Sequence, residues 1–222
     1  MNCIVTAGPS YEPLDEVRRL INFSTGRLGS ELAGYLAGHG HRVTLLLGQQ
    51  ATWRGQAPGL EVIPFTTTAD LGARLESLAS QPVDAVFHAA AVSDFAFGTI
   101  WRGVPGGELE IVQAGKISSG DGPLVAELVP TLKIISNLRA WFGSARLVGW
   151  KYEVEGGQSG VVAKAEQQIA DNSTNACVAN GPAYGRGFGL VTGLSQLAHL
   201  EEEASLFAAL EELIQRAKRR TT

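Results

Sequence analysis

Apolar residues recur along this chain with two different spacings, and the two spacings alternate. Continuous apolar runs such as Cys3–Thr6 and Val83–Ala90 are typical of strands that are buried on both faces of a sheet. Between such runs, Leu28, Leu32 and Leu36 recur every four residues, which is the spacing of a helix with one buried stripe. The alternation of strand and helix predicts a mainly parallel sheet with helices packed against it.

The same pattern assigns most of the chain to elements. We predict strands over 3–6, 41–48, 62–65, 83–90, 147–152, 176–179 and 189–192. We predict helices over 30–37, 68–79, 131–142, 161–170 and 206–217. Pro64 suggests that the third strand lies at an edge of the sheet, because proline cannot donate a ladder hydrogen bond. Residues 10–23 are expected to form a long polar loop, and loops of that length are usually functional.

The alternation breaks between residues 96 and 130, where glycine is frequent. The stretch includes Gly98, Gly103, Pro105, Gly106, Gly107, Gly115, Gly120 and Gly122. Two short β-like pieces, 108–112 and 124–129, lie among them, so we predict an antiparallel glycine-rich flap over about 96–130. The predicted fold class is α/β, a Rossmann-like three-layer fold with a mainly parallel sheet and this flap, in a single domain over 1–222.

Composition and charge exclude several classes of protein. The 222 residues are 45% hydrophobic and 18% charged with a formal net charge of −4, which lacks the basic excess of a nucleic-acid binder. Cys3 and Cys177 lie in predicted buried strands, so we expect small core residues in a reducing compartment. The first residues have no basic flank and no long apolar segment, which argues against a signal peptide or a transmembrane helix. We expect a cytoplasmic protein with no nucleic-acid partner and no membrane partner.

Candidate binding residues are those just after the strands, because ligands of open parallel sheets bind at the carboxyl ends. These positions are Ala7–Phe23, Gly48–Gln49, His88–Phe95, Lys151–Glu153 and Asn180. One stretch, Asn22–Gly29, leads into the first helix, and its free N–H groups and helix dipole suit a phosphate or carboxylate. Gly26 and Gly29 have no Cβ that would block a close approach. A helix cap without a ligand would use the same residues, so the stretch alone leaves both interpretations open.

Metal and hydrolase chemistries lack their usual residue patterns. The four histidines do not cluster with cysteines at metal-ligand spacing, and no Gly-x-Ser-x-Gly elbow occurs. His39 and His41 flank a predicted turn, which favours solvated side chains. His88 ends a buried strand, which favours a satisfied core histidine over a ligand.

An NAD(P)-dependent reductase is an alternative, because a strand, a glycine-bearing loop and a helix follow one another. The glycines, however, come about twenty residues after the first strand. The second strand ends in Leu47-Gly48-Gln49, with no acid for a ribose hydroxyl. No tyrosine is followed four residues later by a lysine, the pair of short-chain reductases, so this alternative ranks low.

Five motifs, in chain order, resemble those of the phosphopantothenoylcysteine synthetase family. They are Thr6-Ala7-Gly8-Pro9 with Glu12-Pro13 and Val17-Arg18, Asn22-Phe23-Ser24-Thr25-Gly26-Arg27-Leu28-Gly29, Ala89-Ala90-Ala91-Val92-Ser93-Asp94-Phe95, Lys116-Ile117-Ser118-Ser119 and Val178-Ala179-Asn180. Each motif is weak alone, but five in order, in agreeing strand and helix contexts, form a specific signal. The chain resembles a stand-alone synthetase domain of this family.

The resemblance implies a phosphopantothenate–cysteine ligase of coenzyme A biosynthesis. Such enzymes join 4′-phosphopantothenate to cysteine with a nucleoside triphosphate and Mg²⁺, through an acyl nucleotide and with release of pyrophosphate. This chemistry needs mostly positioning and charge neutralisation, which agrees with the lack of a catalytic triad. The resemblance also implies a homodimer that pairs through the antiparallel flap.

The resemblance further assigns roles to individual residues. Asn22 matches an asparagine that acts on the acyl-nucleotide intermediate, where its amide can donate to the developing oxyanion. Lys116 matches a lysine on a mobile flap that closes over the reacting groups. Gly26, Arg27 and Gly29 would hold phosphates at the helix amino end. The other residues implied to bind nucleotide or phosphate are Gly8, Ser24, Thr25, Ala90, Asp94 and Lys164, and no metal ligand is assigned.

The chain departs from the CTP-using bacterial members in two places. The flap reads Lys116-Ile117-Ser118-Ser119 where those members carry Lys-Ile-Lys-Lys. The helix before the Val-Ala-Asn strand end keeps only Lys164 of several basic residues. The stretches Asn22–Ser24 and Ser93–Phe95 look more like the ATP-using eukaryotic members. We therefore favour ATP slightly over CTP, and a non-catalytic nucleotide-binding paralogue is the main alternative to the ligase.

Overall fold

Eight strands of the described chain form one sheet that is covered by helices on both faces. The computed structural model describes residues 1–55, 59–103 and 107–219. In chain order the strands are β1 (Asn2–Ala7), β2 (Tyr11–Pro13), β3 (Arg19–Ile21), β4 (Arg42–Gly48), β5 (Glu61–Phe65), β6 (Ala85–His88), β7 (Phe95–Gly103), β8 (Leu109–Ile111), β9 (Leu124–Pro130), β10 (Arg146–Tyr152), β11 (Ala176–Asn180), β12 (Phe188–Gly193) and β13 (Gln196–Leu200). The α-helices are α1 (Arg27–Gly38), α2 (Thr68–Leu78), α3 (Ile134–Phe142), α4 (Gly157–Asn172) and α5 (Glu203–Arg219).

The large sheet has the strand order β13-β12-β11-β10-β6-β1-β4-β5. All neighbours from β11 to β5 are parallel, whereas β12 and β13 extend the sheet as an antiparallel hairpin. The parallel part, β5-β4-β1-β6-β10-β11, has the strand order of a Rossmann fold. The predicted α/β class with a mainly parallel sheet is confirmed, and Pro64 lies on the edge strand β5 as expected.

Strand β1 shows how the sequence produces the layers. Cys3, Val5 and Ala7 belong to a buried cluster with leucines of α1 and α5. Ile4, between them, belongs to a second cluster with residues of α2 and α3. Successive side chains of a strand point to opposite faces, so a strand covered on both faces must be apolar throughout. The continuous apolar run of β1 is the direct result.

Three short regions differ from the predicted elements. The strands β2 and β3 pair antiparallel inside the predicted loop 10–23, and β13 pairs with β12 where no strand was predicted. The predicted antiparallel flap is confirmed, but its middle strand β7 was missed, and the flap is a three-stranded sheet of order β8-β7-β9. Pro105 and Gly106 of the predicted flap lie outside the described residues. The single domain over 1–222 stays a prediction.

Four of the five predicted helices begin three or four residues away from their expected starts. α1 and α5 each begin three residues earlier than predicted. α3 begins at Ile134 instead of residue 131, because Thr131 is held in the preceding loop. Its N–H donates to Asp94 O at 3.0 Å and its hydroxyl donates to Ser93 O at 2.6 Å. α4 begins at Gly157 instead of residue 161, after Gly156 with a φ of 102°, a left-handed conformation that favours glycine. No helix within the described ranges is both long and apolar enough to cross a bilayer.

The buried cysteines fit their prediction, and one histidine does not. Cys3 and Cys177 are unpaired core residues, and burial raises the pKa of each thiol to about 12, so both are inert at neutral pH. The expectation that His41 is solvated is wrong, because its side chain is only 6% exposed and its Nε2 lies 3.4 Å from Oε1 of Glu211. The cause is the packing of α5, which carries Glu211, against α1 and the turn that follows it.

Candidate functional site

The strand order reverses between β1 and β6, because the chain leaves β1 towards β4 on one side and later reaches β6 on the other. Ligands of such sheets bind beside this switch point. The loops after the two strands stay joined: Ala91 N donates to Gly8 O at 3.0 Å, and Ser10 N donates to Ala91 O at 3.1 Å. Gly8 and Ala90, both predicted to bind nucleotide, therefore lie in adjacent, mutually bonded loops.

A buried polar cluster that the sequence did not single out supports these loops. The hydroxyl of Ser10 accepts from Ser93 N at 2.8 Å and lies 3.1 Å from Oγ1 of Thr68. Thr68 N, at the start of α2, donates to Oε1 of the buried Glu12 at 2.9 Å. These bonds satisfy buried backbone groups and tie both loops to α2. Because the partners lie 56 to 83 residues apart, no local pattern marks them.

The glycines near the switch point allow the start of α1 to pack closely against β1 and the loop after it. Gly8 and Gly26 both have left-handed φ angles, 80° and 78°, and a Cβ on Gly26 would lie 3.2 Å from Cα of Gly8. A Cβ on Gly29 would lie 2.7 Å from Cβ of Ala7 on β1. The space beside Gly26 and Gly29 is thus filled by protein. Their lack of a Cβ serves close packing, and phosphate binding there stays a prediction that depends on the backbone N–H groups.

Replacing Gly29 with alanine should destabilise the protein by about 1–3 kcal/mol, the usual cost of overpacking, because α1 must move away from β1. Gly38→Ala in the same helix is the matched control, since a Cβ there meets nothing within 4 Å. In thermal unfolding we expect a melting temperature several degrees lower for Gly29→Ala and unchanged or higher for Gly38→Ala. Equal melting temperatures would contradict the packing role.

The amino end of α1 keeps free donors. The hydroxyls of Ser24 and Thr25 each accept from the backbone N–H two residues further along, at 3.4 and 3.2 Å. The N–H groups of Leu28 and Gly29 donate to no backbone or side-chain acceptor within the described ranges. Two unpaired donors at the positive end of a helix dipole can bind an anion.

Arg27, predicted to hold phosphates, is engaged in ion pairs. Its Nη1 donates to Glu31 at 2.9 Å and to Glu203, on α5, at 2.7 Å, and its Nη2 donates to the other oxygen of Glu203. These hydrogen bonds, chiefly those with Glu203, raise the pKa of Arg27 above its ordinary value. A phosphate would have to compete with two carboxylates for this guanidinium, so its role as a phosphate ligand stays a prediction.

Asn22 links the loop before α1 to the loop after β6. Its Nδ2 donates to Val92 O at 3.0 Å and more weakly to Ala91 O at 3.4 Å. Asn22 is exposed and lies directly beside the joined loops of the switch point. The resemblance assigns the amide N–H of Asn22 to an oxyanion, but in this structure the amide donates to two loop carbonyls. Asn22 would have to break these hydrogen bonds before it could donate to an intermediate.

A cavity of about 660 Å³ opens at the carboxyl ends of β6 and β10, between α3 and α4. The predicted residues Ala90, Asp94 and Lys164 all line it. Its wall on the side of β10 and α4 also includes Trp150, Lys151, Glu153, Gln167, Gln168, Asp171 and Asn172. The sequence indicated Lys151–Glu153 as a strand end but missed the polar residues of α4. The α4 residues Gln167, Gln168, Asp171 and Asn172 follow Lys164 at the spacing that places residues on one helix face. This spacing is the sequence signal that could have found them.

Three of the charged groups that line the cavity are paired with one another. Lys164 Nζ donates to Oε2 of Glu153 at 2.6 Å, and Lys151 Nζ lies 3.4 Å from Oε1 of the same carboxylate. The hydrogen bond from Lys164 is the largest cause that lowers the pKa of Glu153 below its ordinary value. Asp94, by contrast, is exposed. Lys164 is the cation of α4 that the resemblance assigns to the nucleotide. It is therefore already paired with the carboxylate of Glu153.

His88 is a core residue, as predicted. It is 7% exposed, and its Nδ1 lies 2.9 Å from Oγ1 of Thr6 on the neighbouring strand. Thr6 Oγ1 also accepts from Ala90 N at 3.1 Å, so its own proton is free to be donated to Nδ1. Burial lowers the pKa of His88 to about 4, which keeps the ring neutral at physiological pH.

Lys116 lies apart from the lining of the cavity, on the segment between β8 and β9. Its side chain is exposed. The residues on either side of it, Gly115 and Ile117, are hydrogen-bonded to the turn between β2 and β3. The structure thus brings Ala90, Asp94 and Lys164 together and joins Asn22 to the switch point, while the closure of Lys116 over the site stays a prediction.

Comparison with known proteins gives one family model and several curated relatives, one of which is named a cysteine/cysteine sulfinic acid decarboxylase and is 35% identical over 135 residues, 60% of this chain. A family model described as the DNA/pantothenate metabolism flavoprotein C-terminal domain matches residues 1–210. The coenzyme A biosynthesis bifunctional protein CoaBC of Bacillus subtilis is 31% identical over 193 residues, which are 86% of this chain and 43% of that protein. The chain spans less than half the length of the curated relatives that it matches, with shares of 33%, 43% and 40% for three of them.

Solved structures are similar over nearly the whole chain. A DNA/pantothenate metabolism flavoprotein from Streptococcus pneumoniae matches with a TM-score of 0.83 at 26% identity, and the match covers 98% of this chain and 99% of that chain. A Cab2 mutant in complex with phosphopantothenate-cysteine has a TM-score of 0.74 at 22% identity over 98% of this chain and 86% of that chain, which supports the fold alone. The chain belongs to the family of DNA/pantothenate metabolism flavoprotein C-terminal domains, in agreement with the resemblance of its motifs to phosphopantothenoylcysteine synthetase.

Proposed function

We propose that this chain is a phosphopantothenate–cysteine ligase of the reducing cytoplasm, where its two unpaired buried cysteines are expected. The observation that carries the proposal is a convergence at the switch point: Gly8, Asn22 and Ala90 meet in bonded loops beside a cavity of about 660 Å³. The activities of two relatives support it. The Bacillus subtilis protein acts in coenzyme A biosynthesis, and the Cab2 mutant binds phosphopantothenate-cysteine, the joined form of the two substrates proposed here.

The reaction has two steps that the site must position. An oxygen of the phosphopantothenate carboxylate attacks the α-phosphorus of a nucleoside triphosphate, and pyrophosphate leaves with the bonding electron pair. The amine nitrogen of cysteine then attacks the acyl carbon, loses a proton and expels the nucleoside monophosphate. Negative charge develops on oxygen in both steps, so donors and cations held in place can supply most of the rate. Asn22, the free N–H groups of α1 and Lys116 are the groups that we assign to this task.

The cavity beside the switch point is the site that we propose for the nucleotide. Its volume lies within the range of about 300–1,000 Å³ that is typical of small-molecule sites. Mg²⁺ usually binds to substrate phosphates with one or two carboxylates and several waters. Among the carboxylates of the cavity, Glu153 and Asp171 accept hydrogen bonds from side chains of α4, whereas Asp94 is exposed at the end of the loop after β6. Asp94 would hold the ion, which when bound would neutralise phosphate charge.

We also propose ATP as the preferred nucleotide. On the face of α4 that lines the cavity, the cation Lys164 is accompanied by the neutral side chains Gln167, Gln168 and Asn172 and by Asp171. Lys164 itself is bonded to Glu153 at 2.6 Å. Among the described residues, this face of α4 therefore lacks the cluster of free basic groups that the resemblance associates with CTP, although Lys133 at the start of α3 and Lys151 also line the cavity.

A coupled assay of pyrophosphate release tests the function. The protein is mixed with phosphopantothenate, cysteine, Mg²⁺ and either ATP or CTP, and we expect turnover with both substrates present and a higher kcat/KM for ATP. Omission of cysteine should allow at most one turnover, because the acyl nucleotide would stay bound. Absence of turnover with either nucleotide would remove the ligase proposal.

The same assay separates the alternatives. A non-catalytic paralogue would bind ATP in calorimetry and release no pyrophosphate, and the pairing of Arg27 and Lys164 with carboxylates is the observation that favours it. A reductase would instead show saturable NAD(P)H fluorescence.

We further propose a homodimer that pairs through the flap. Trp101 on β7 lies in register with Ile111 on β8 and with Val125 on β9, so the three side chains share one face. Ile111 and Val125 are 61% and 50% exposed, an apolar surface that a second copy would cover. Light scattering should give about twice the 23.5 kDa of one chain, and the mass of a single chain would contradict the dimer.

A further inference from the structure

The turn between β2 and β3 holds the flap backbone on both sides of Lys116. Before it, Gly115 O accepts from Glu16 N at 2.9 Å. After it, Ile117 N donates to Oδ2 of Asp15 at 3.1 Å, and Ile117 O accepts from Nη2 of Arg18 at 2.6 Å. Both backbone groups of Ile117 are thus bonded to side chains of a turn that lies about 100 residues earlier in the chain. We call these three contacts the flap latch.

Asp15 is the centre of the flap latch. Its side chain is 0% exposed, and its two oxygens accept from five donors. Oδ1 accepts from the N–H groups of Val17 and Arg18, while Oδ2 accepts from two nitrogens of the Arg18 guanidinium and from Ile117 N. The Arg18 guanidinium is the main cause that holds the pKa of this carboxyl well below its usual range. The carboxylate is therefore charged and fully bonded at physiological pH.

The flap latch fixes a segment that has few other anchors. Ile117 is 5% exposed, whereas its neighbours Lys116 and Ser118 are exposed. The segment lies between β8 and β9 and belongs to neither strand. Within the described ranges, its backbone between residues 113 and 117 bonds outside the segment only to the turn between β2 and β3. The flap latch consequently sets where the Lys116 backbone lies.

The same turn also leads to Asn22. The strand β3 begins one residue after Arg18 and ends at Ile21, directly before Asn22. Asn22 is bonded to the loop after β6, at the switch point. One ribbon of two short strands thus connects the group at the switch point with the backbone that carries Lys116.

We propose that Asp15, with Arg18, is a positioning residue for Lys116 in the reaction. The proposal rests on the ligase function argued above. The flap latch orders the backbone on both sides of Lys116 before the flap closes, so that closure brings an already ordered segment to the developing charge. Loss of the flap latch should therefore lower kcat by about 10-fold to 100-fold and leave the KM for the nucleotide within about 3-fold, because the cavity is untouched.

The test compares Asp15→Asn with Glu16→Gln, two amidations in one turn that each remove one negative charge. The amide introduced by Asp15→Asn would turn one acceptor of the flap latch into a donor that faces other donors. Glu16 supplies only its backbone N–H to the three hydrogen bonds of the flap latch, and amidation keeps the shape of its side chain, which lies against Gly115, so its variant is the matched control. Trypsin cleavage of the bond after Lys116 is measured by mass spectrometry. We expect cleavage to be about 10-fold faster in Asp15→Asn and unchanged in Glu16→Gln. A 10-fold faster cleavage corresponds to a shift of about 1.4 kcal/mol in the equilibrium by which the segment opens.

Arg18→Lys is the second variant, for the case that Asp15→Asn does not fold as judged by circular dichroism. Lysine keeps the charge but loses the fork that bonds Asp15 and Ile117 together, so faster cleavage after Lys116 is again expected. Cleavage at the parent rate in both variants would overturn the flap latch.

Ligase kinetics then decide the positioning role. Faster cleavage together with an unchanged kcat would overturn that role while the flap latch stands. A parent protein without ligase activity would remove the proposed function, and with it the positioning role, whereas the flap latch would still be judged by proteolysis alone.

Discussion

Replacing Lys116 with alanine should lower the ligation rate by about 100-fold to 1,000-fold, the usual cost of removing one preorganised group that stabilises transition-state charge. The side chain is exposed and only its flanking backbone is held, so the change removes a cation without disturbing the core. The loss should fall on kcat, because the nucleotide cavity does not include Lys116. Steady-state pyrophosphate release with ATP measures it.

Arg74→Ala is a suitable control for the loss of a positive charge. Arg74 lies on α2, bonds to Asp70 at 2.9 Å and does not line the cavity. Its replacement should cost at most about 1 kcal/mol of stability and leave the rate unchanged. Circular dichroism must show that Lys116→Ala keeps the fold. A Lys116→Ala protein that turns over at the parent rate would show that the role assigned to Lys116 on the flap is wrong.

Acid should destabilise this protein through His88 before most carboxylates are protonated. The folded-state pKa of His88 is lowered to about 4 by burial, against an ordinary value of 6.5. Between these two values the unfolded chain binds a proton that the folded protein does not. The contribution of His88 to stability is therefore complete above pH 6.5 and is lost as the pH falls towards 4. The shift corresponds to about 3 kcal/mol.

Urea unfolding at pH 7 and pH 4.5 measures this effect. The parent should lose about 2–3 kcal/mol more over this interval than His88→Gln, which has no imidazole at this position. His39→Gln is the control for removal of an imidazole from the surface, because His39 is 46% exposed and stacks on Tyr35. It should keep the pH dependence of the parent. A His88→Gln protein with the same acid loss as the parent would refute the assignment.

The large sheet was predictable because its signals are local. The apolar run of β1 indicates burial on both faces of the sheet, and Pro64 indicates an edge strand. Neither signal requires knowledge of the partner strand. The missed strands lack such signals. β2 and β3 have three residues each, too few for an alternation, and β7 contains a register shift between Phe97 and Ile100 that interrupts its pattern.

The candidate site was predictable where it follows from strand ends. The rule that ligands bind after parallel strands indicated Ala90, Asp94 and the end of β10, and all of these line one cavity. Contacts between distant segments could not be predicted. Nothing near Arg27 in the sequence shows that Glu203, 176 residues later, binds its guanidinium. Likewise, Asp15 carries no local mark of its bond to the flap.

The ion pair between Arg27 and Glu203 also links α5 to the amino end of α1. Glu203 reaches Arg27 because α5 packs on the same buried cluster as α1. A change that loosens α5 should therefore release the Arg27 guanidinium from Glu203, beside the free N–H groups of α1. The seating of the closing helix and the affinity of the amino end of α1 for anions are thus coupled, and each should report on the other.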